Sequence, residues 1–326
     1  MKKMVAFALS ITMCLGMAIS FASCGDSLFK LESGAIQNCE CEEKEEVVSV
    51  KDVAYSYEVD EEGNTYSVLT ITYTDDTTRV IKTLVPTAAV SQETLITALG
   101  AGDSVMLGAD IETTENIVMN GGNLDGNGKT LDGSQITERV NCAITSTGGT
   151  VSNLNIIGAP RGLGTGSSGT YALSEDLIVE NVFIDEGTYA INIGNGNGKK
   201  LTVSNSTLYG WTSYSGLSIA EFADCTFGQG KTDYSYVRAY DATSFTNCKF
   251  EDGFKFGAVS TGFEEEGVGF TVTIANCYYG ETLITAENFA ALMTVLGDED
   301  TESLKLCTVV VDGVTVNVES YPTAAE

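Results

Sequence analysis

Val203-Ser-Asn-Ser-Thr-Leu208 is one of six copies of a short phrase. The others are Val151-Ser-Asn-Leu-Asn-Ile156, Val179-Glu-Asn-Val-Phe-Ile184, Phe222-Ala-Asp-Cys-Thr-Phe227, Phe245-Thr-Asn-Cys-Lys-Phe250 and Ile274-Ala-Asn-Cys-Tyr-Tyr279. The frame is apolar, free, Asn or Asp, small or apolar, free, apolar. Counted from Asn153, Asn181, Asn205, Asp224, Asn247 and Asn276, the steps are 28, 24, 19, 23 and 29 residues. A constant core with irregular steps means a fixed strand corner whose other loops vary in length, which is the pattern of a solenoid.

The chemistry of the phrase agrees. Asn and Asp tolerate the left-handed backbone region better than other non-glycine residues, so either can turn a strand within one residue. Period-2 alternation on each side lets Val203, Ser206 and Leu208 point one way around the bend. Stacked coils then place the six Asn or Asp side chains above one another, where amides can hydrogen-bond up the stack. The last slot (Ile156, Ile184, Leu208, Phe227, Phe250, Tyr279) is expected to form an interior column of large side chains.

Together with Leu124-Asp-Gly-Asn-Gly-Lys-Thr-Leu131, the phrase resembles right-handed parallel β-helix repeat proteins of the pectate-lyase-like kind, over roughly residues 90 to 320. The resemblance implies an all-β fold, a right-handed parallel β-helix, to which the residues outside and at the ends of the repeats add short capping helices and a preceding small β meander. It specifies activity poorly, because such helices carry polysaccharide lyases, hydrolases, adhesins and spacers alike.

Four segments are expected: a lipoprotein signal peptide over 1–23, an acidic tether over 24–46, a small β meander over 47–86 and the capped β-helix over 87–320. Met1-Lys-Lys followed by an uncharged apolar run from Val5 to Ser20 reads as a secretory signal rather than a spanning helix. Phe21-Ala-Ser-Cys24 resembles a bacterial lipobox, with Phe21 in place of the usual Leu, and makes Cys24 the lipid attachment residue. The start Cys24-Gly-Asp-Ser resembles lipoproteins of Gram-negative bacteria, and acyl chains would hold the protein to a membrane without a spanning helix. The expected location is the cell envelope, outer membrane, with periplasmic and surface facing both open. A soluble secreted protein is the plainer alternative.

The net charge of −28 becomes −28 − 2 = −30 once Lys2 and Lys3 leave with the signal. So acidic a chain repels phosphate backbones, which argues against nucleic acid, and disfavours acidic polysaccharides unless cations mediate. The absence of His removes His-based triads and the common zinc sites. No metal or cofactor is expected, calcium entering only with a lyase. Cys225, Cys248 and Cys277 share the small slot after the corner and read as a small-hydrophobe ladder, with Cys142 and Cys307 packing similarly. Cys39-Glu-Cys41 lies in the tether, as free thiols, a crosslink or a soft-metal pair.

In the meander, alternating runs at Val53–Val59, Tyr66–Tyr73 and Thr78–Val85 are joined by polar turns. Ser91 caps a short amphipathic helix ending at Gly100, which is expected to cover the first coil. Coils begin near Asp103–Leu107, and there is room for seven or eight before residue 280. A helix over Thr285–Leu296, stopped by Gly297, and a hairpin of Leu304–Val311 with Val314–Val318 across Asp312-Gly313 are expected to close the far end.

Asp125-Gly-Asn-Gly fails as a calcium loop because Lys129, Thr130 and Ile136 occupy positions that need other residues. Gly194-Asn-Gly-Asn-Gly-Lys-Lys200 is one residue short of a phosphate loop and has no Ser or Thr after Lys199. Under a lyase reading, Arg238 is the candidate base, beside Asp233 and Asp241 with calcium; the plain reading pairs Arg238 with one of those acids. No paired-carboxylate motif of the hydrolases is present. For binding, Trp211, Tyr214, Asp233, Tyr234, Tyr236, Arg238 and Tyr240 are the candidate glycan contacts, with Tyr209 nearby, since flat rings beside polar groups suit sugar rings. The same rings would also serve as packing between loops. The function expected is a noncatalytic cell-envelope lipoprotein presenting a β surface for adhesion or glycan contact. The alternatives are a calcium-assisted polysaccharide lyase and a structural or assembly component. The expected partners are a polysaccharide or a cell-surface partner, and the membrane through the lipid anchor.

Overall fold

Three long sheets of stacked strands are generated by the six-fold phrase. The computed structural model describes residues 50–59, 65–85, 87–257, 270–295, 304–305, 307–316 and 322. The expected signal peptide, the tether, Cys24, Cys39 and Cys41 lie outside the described residues. The chain divides into two units, residues 1–85 and residues 86–326.

In the first unit, strands β1 (Val50–Val59), β2 (Thr65–Tyr73) and β3 (Thr78–Val85) form an antiparallel sheet in the order β1-β2-β3. The β2–β3 turn is set by Asp75, whose carboxylate accepts from the Thr77 amide at 2.9 Å, and by Asp76 at φ 62. Those two hydrogen bonds from Thr77, hydroxyl and amide, hold the Asp75 carboxyl below its ordinary value.

The second unit is a parallel β-helix. Its sheets have eleven, nine and seven strands, and successive coils contribute neighbouring strands to each. Strand pairing from coil to coil is parallel, and in register except in the seven-stranded sheet, which shifts between Leu163 and Gly166 and between Tyr189 and Ile191. Leu177, Leu201 and Ala220 align, for example, as do Val179, Val203 and Phe222. Seven coils between Val105 and Gly257 place one strand in every sheet, which accounts for the seven-stranded sheet. The phrase sits where each coil passes from the eleven-stranded to the nine-stranded sheet. Asn153, Asn181, Asn205, Asp224, Asn247 and Asn276 all stand at φ between 50 and 55.

Their side chains form a broken ladder. Asn153 Nδ2 donates to Asp125 Oδ1 at 3.0 Å, and Asn181 Nδ2 to Asn153 Oδ1 at 2.7 Å. Two rungs further on, Asn247 Nδ2 donates to Asp224 Oδ1 at 3.1 Å and Asn276 Nδ2 to Asn247 Oδ1 at 2.9 Å. Asp312 then accepts from the Asn276 amide at 3.0 Å, closing the far end. Asn205, between the two runs, turns the chain without such a bond. Asp125-Gly-Asn-Gly is a longer version of the same corner, with Asn127 and Gly128 both at positive φ and Asp125 Oδ1 accepting from the Asn127 amide at 2.8 Å.

The core is continuous along the coils and changes from aliphatic to aromatic. Ile156, Ile184 and Leu208 give way to Phe227 and Phe250, all buried. Phe222 stacks on Phe245 with centroids 5.2 Å apart, as does Phe227 on Phe250. Tyr279, the last member of that column, is only half-buried. The small slot is a hydrogen-bonding position as well as an apolar one. Ser206 Oγ donates to Ser204 O at 2.7 Å and accepts from the Val182 amide at 3.1 Å. Cys225, Cys248 and Cys277 point their thiols at the carbonyls of Ala223, Thr246 and Ala275 in the same way. These three, with Cys142 and Cys307, are free thiols.

Helix α1 (Gln92–Ala101) covers the first coil. Ser91 caps it, Leu95, Ala98 and Leu99 are buried, and Asn120 binds the Leu99 and Gly100 carbonyls. It runs past the expected stop at Gly100, because the left-handed C-cap is Gly102 at φ 83. The expected helix over Thr285–Leu296 is a correction: among the described residues 285–295, only α2 (Phe289–Leu292) is helical. Backbone pairing ends it, since Phe256 donates to Thr294 O at 2.6 Å and Val295 donates to Pro322 O at 2.9 Å. Phe289, Met293 and Val295 still plug the core. The last parallel strand begins at Thr308 rather than Leu304, and returns through Asp312 and Gly313, both at positive φ, as a hairpin with Val314–Val316.

Candidate functional site

One rung of the seven-stranded sheet carries its large side chains outward. Arg161, Tyr189 and Trp211 align across consecutive parallel strands. Thr212 pairs with Val237 and Tyr236 with Lys255, which extends the same row to Arg161–Tyr189–Trp211–Tyr236–Lys255. Alternation puts Thr212 and Val237 into the core and leaves their neighbours Trp211 and Tyr236 on the outer face.

The rings touch in sequence. Tyr189 meets Trp211 edge-on at 5.1 Å, and Trp211 meets Tyr236 at 5.0 Å. Tyr234 stacks on Trp211 at 5.6 Å with planes 25° apart. The Trp211 indole N–H donates to Tyr234 O at 3.3 Å, and Thr232 Oγ1 donates to the same carbonyl at 2.6 Å, so both the ring and the loop over it are fixed. Trp211, Tyr189 and Tyr234 are half-buried, leaving ring area open to solvent, whereas Tyr236 is 4% exposed and forms the floor. Burial pushes the Tyr236 phenol well above its ordinary value, so it stays neutral.

Cations stand at both ends of the row. The Arg161 guanidinium lies 4.1 Å from the Tyr189 ring centre and the Lys255 ammonium 4.0 Å from that of Tyr234. Arg161 also donates to Arg139 O and, at 2.7 Å, to Asn192 Oδ1. Asn192, Ser213 and Arg238 form the adjacent rung. Arg238 lies 5.8 Å from the Tyr240 ring centre, and its buried Nε has no hydrogen-bond partner.

The candidates chosen from sequence divide accordingly. Trp211, Tyr234 and Tyr236 come together; Arg238 and Tyr240 flank them, and Asp233 is exposed one residue before Tyr234. Tyr214 is a correction: it is wholly buried, its hydroxyl 2.7 Å from Thr243 Oγ1, because it shares the inward parity of Thr212. Tyr209 is on another face, in the nine-stranded sheet, with its hydroxyl donating to Glu251 at 3.2 Å. Neither acid pairs with Arg238. Asp241 accepts from the Leu217 amide at 2.9 Å, and burial raises its carboxyl above the ordinary value. Among the described residues, no group of three or more Cys, Asp or Glu is placed to hold a metal ion.

Arg161, Tyr189 and Lys255 were not singled out by sequence reasoning. A signal for them exists, since each lies eight residues past its corner at Asn153, Asn181 and Asn247.

Fold and face define a parallel β-helix with a cation-flanked aromatic row along its seven-stranded sheet. Comparison with protein-family models, with curated proteins and with solved structures gave no match.

Proposed function

We propose that this chain is a noncatalytic cell-envelope lipoprotein, anchored through Cys24, whose β-helix contacts glycans through the aromatic row. The observation that carries the reading is the row itself: the part-exposed rings of Tyr189, Trp211 and Tyr234 on neighbouring coils, fixed by ring contacts and by the bond from Trp211 to Tyr234 O. Aromatic rings bury large area at low conformational cost, and polar groups beside them orient a ligand. Coils rise by about 4.8 Å, close to the length of one sugar unit in an extended chain, so successive rings would meet successive units. A pectate-lyase-like ancestry would be consistent with such a face but is not needed for it.

The test is retention of the full chain on a panel of immobilised glycans, alongside Trp211→Ala and Tyr234→Ala. Binding to one glycan that falls at least tenfold in both variants is expected. No retention on any glycan, or retention indifferent to both substitutions, would sink the reading. The lyase alternative rests on Arg238, whose Nε lacks a partner on the same face. New reducing ends or unsaturated products with calcium, abolished by Arg238→Ala, would put it first.

A further inference from the structure

We infer that the row selects glycans that are neutral over most of their length and carry isolated anionic groups, carboxylate or sulfate, less than four strand spacings apart. This rests on the glycan reading above and adds the charge pattern of the ligand.

The chain as a whole is strongly acidic, at −28, yet this face presents cations. Elsewhere, some lysines are matched by acids, Lys51 with Asp76 in the meander, Lys200 with Glu221 at 2.7 Å and Lys249 with Glu281 at 2.8 Å, while Lys129, Lys199 and Lys231 form no such pair among the described residues. What sets this face apart is that its cations lie over aromatic rings. Among the described residues, no carboxylate pairs with Arg161, Arg238 or Lys255. Arg161 spends its hydrogen bonds on the neutral oxygens of Arg139 and Asn192. The ring contacts of Arg161 with Tyr189 and of Lys255 with Tyr234 hold the two heads in place without cancelling their charge.

Spacing supplies the rest. From the Arg161 backbone to that of Lys255 there are four steps between paired strands, about 19 Å at about 4.8 Å per step. Both heads lean inward over Tyr189 and Tyr234, so the charges stand closer than that. The rungs between carry uncharged rings. An anionic group over those rings would lose solvation, and the cation beside them, Arg238, lies on the adjacent rung 5.8 Å from the Tyr240 ring centre rather than in the row. A polymer charged on every unit is therefore disfavoured in the middle of the row, and the field of the acidic chain opposes it further. A wholly neutral polymer fits the rings but leaves both end cations unused. A chain with a charge at each end of the row and neutral units between satisfies every rung.

The experiment measures affinity of the full chain for soluble glucan, xylan and galactan backbones, each neutral, sparsely carboxylated, sparsely sulfated and densely carboxylated. On the backbone that binds, a sparsely charged form should be held about tenfold more tightly than the neutral and dense forms, the size expected for one charge-assisted contact. Lys255→Gln removes one of the two end cations and should reduce the preference for the sparse over the neutral form measured on that same variant, and Lys255→Arg should retain it. Raising salt from low to high should also shrink it. Carboxylated and sulfated arms identify which anion is read. Equal binding of neutral and sparse forms, or tighter binding of the dense form, overturns the inference and leaves glycan contact standing. No binding of any form by the chain overturns the glycan reading itself.

Discussion

Substituting the corner asparagines separates two contributions that the fold combines at one position. Asn153 and Asn205 turn the chain at φ 52 and φ 50, but only Asn153 also bonds both its neighbours, Asp125 and Asn181. Alanine disfavours the left-handed region by about 1 kcal/mol or slightly more, a cost common to both sites. Asn153→Ala additionally loses two exposed or half-exposed side-chain bonds, at about 0.5 kcal/mol each. The expected losses are therefore about 1 kcal/mol for Asn205→Ala and about 2 kcal/mol for Asn153→Ala. Glycine accepts the backbone but not the ladder, so Asn205→Gly should cost well under 1 kcal/mol and Asn153→Gly about 1 kcal/mol, beyond the usual flexibility cost of glycine. Solenoid stability sums local terms, so hydrogen exchange of the Asn153 and Asn205 amides, which donate to Glu180 O and Ala223 O, is the sharper assay beside denaturant melts. Equal losses at the two sites in both series would refute a ladder contribution and leave only the turn.

Four further outcomes are expected. Ser206→Ala leaves the Val182 amide without its acceptor and should cost about 1–3 kcal/mol in urea melts, whereas Ser206→Cys, the residue used in the same slot by three other coils, should cost much less. Phe227→Ala opens the aromatic core between Phe222 and Phe250 and should cost about 3–5 kcal/mol by the same assay. Ser91→Ala removes the side-chain cap of α1 and should cost about 1 kcal/mol, read as faster exchange in that helix. Burial raises the folded-state pKa of Asp241 above its unfolded value, so the stability this represents is full below the unfolded pKa and is lost as pH rises through the folded one. Asp241→Asn should therefore gain on the parent protein as pH rises from about 4 to 7, and a gap that stays constant over that range would contradict it.

The corners were legible because Asn and Asp at a fixed place in an apolar frame have few other reasons to recur. The spacing left room for seven or eight coils, and seven between Val105 and Gly257 place a strand in every sheet. The far-end helix was not legible: Phe289 to Val295 has a helical pattern, but the Thr294 and Val295 backbones are claimed by Phe256 and Pro322, distant in sequence. Composition likewise argued against anionic ligands. A net charge is a sum over the whole chain, and it hides three cations gathered on one face. On that face, composition located the aromatic region but not its membership. Tyr214 lies three residues from Trp211 and so takes the opposite parity, a fact available beforehand. The end members Arg161 and Lys255 lie outside the stretch from Tyr209 to Tyr240 that holds the Trp and Tyr cluster, and only the register between coils brings them into line. Trp211 sits six residues past its corner and Tyr236 twelve, so no single offset finds the whole row.

Because the row takes one position from each coil, its reach is quantised. Duplicating a coil between Tyr189 and Trp211 would move the two terminal cations apart by a single strand spacing and leave every other rung in its own setting. Deleting one would shorten the interval by the same amount. A lineage built on this scaffold can therefore retune the length of what it measures by copying or losing a repeat, remaking only the ring contact at the junction, here that of Tyr189 with Trp211.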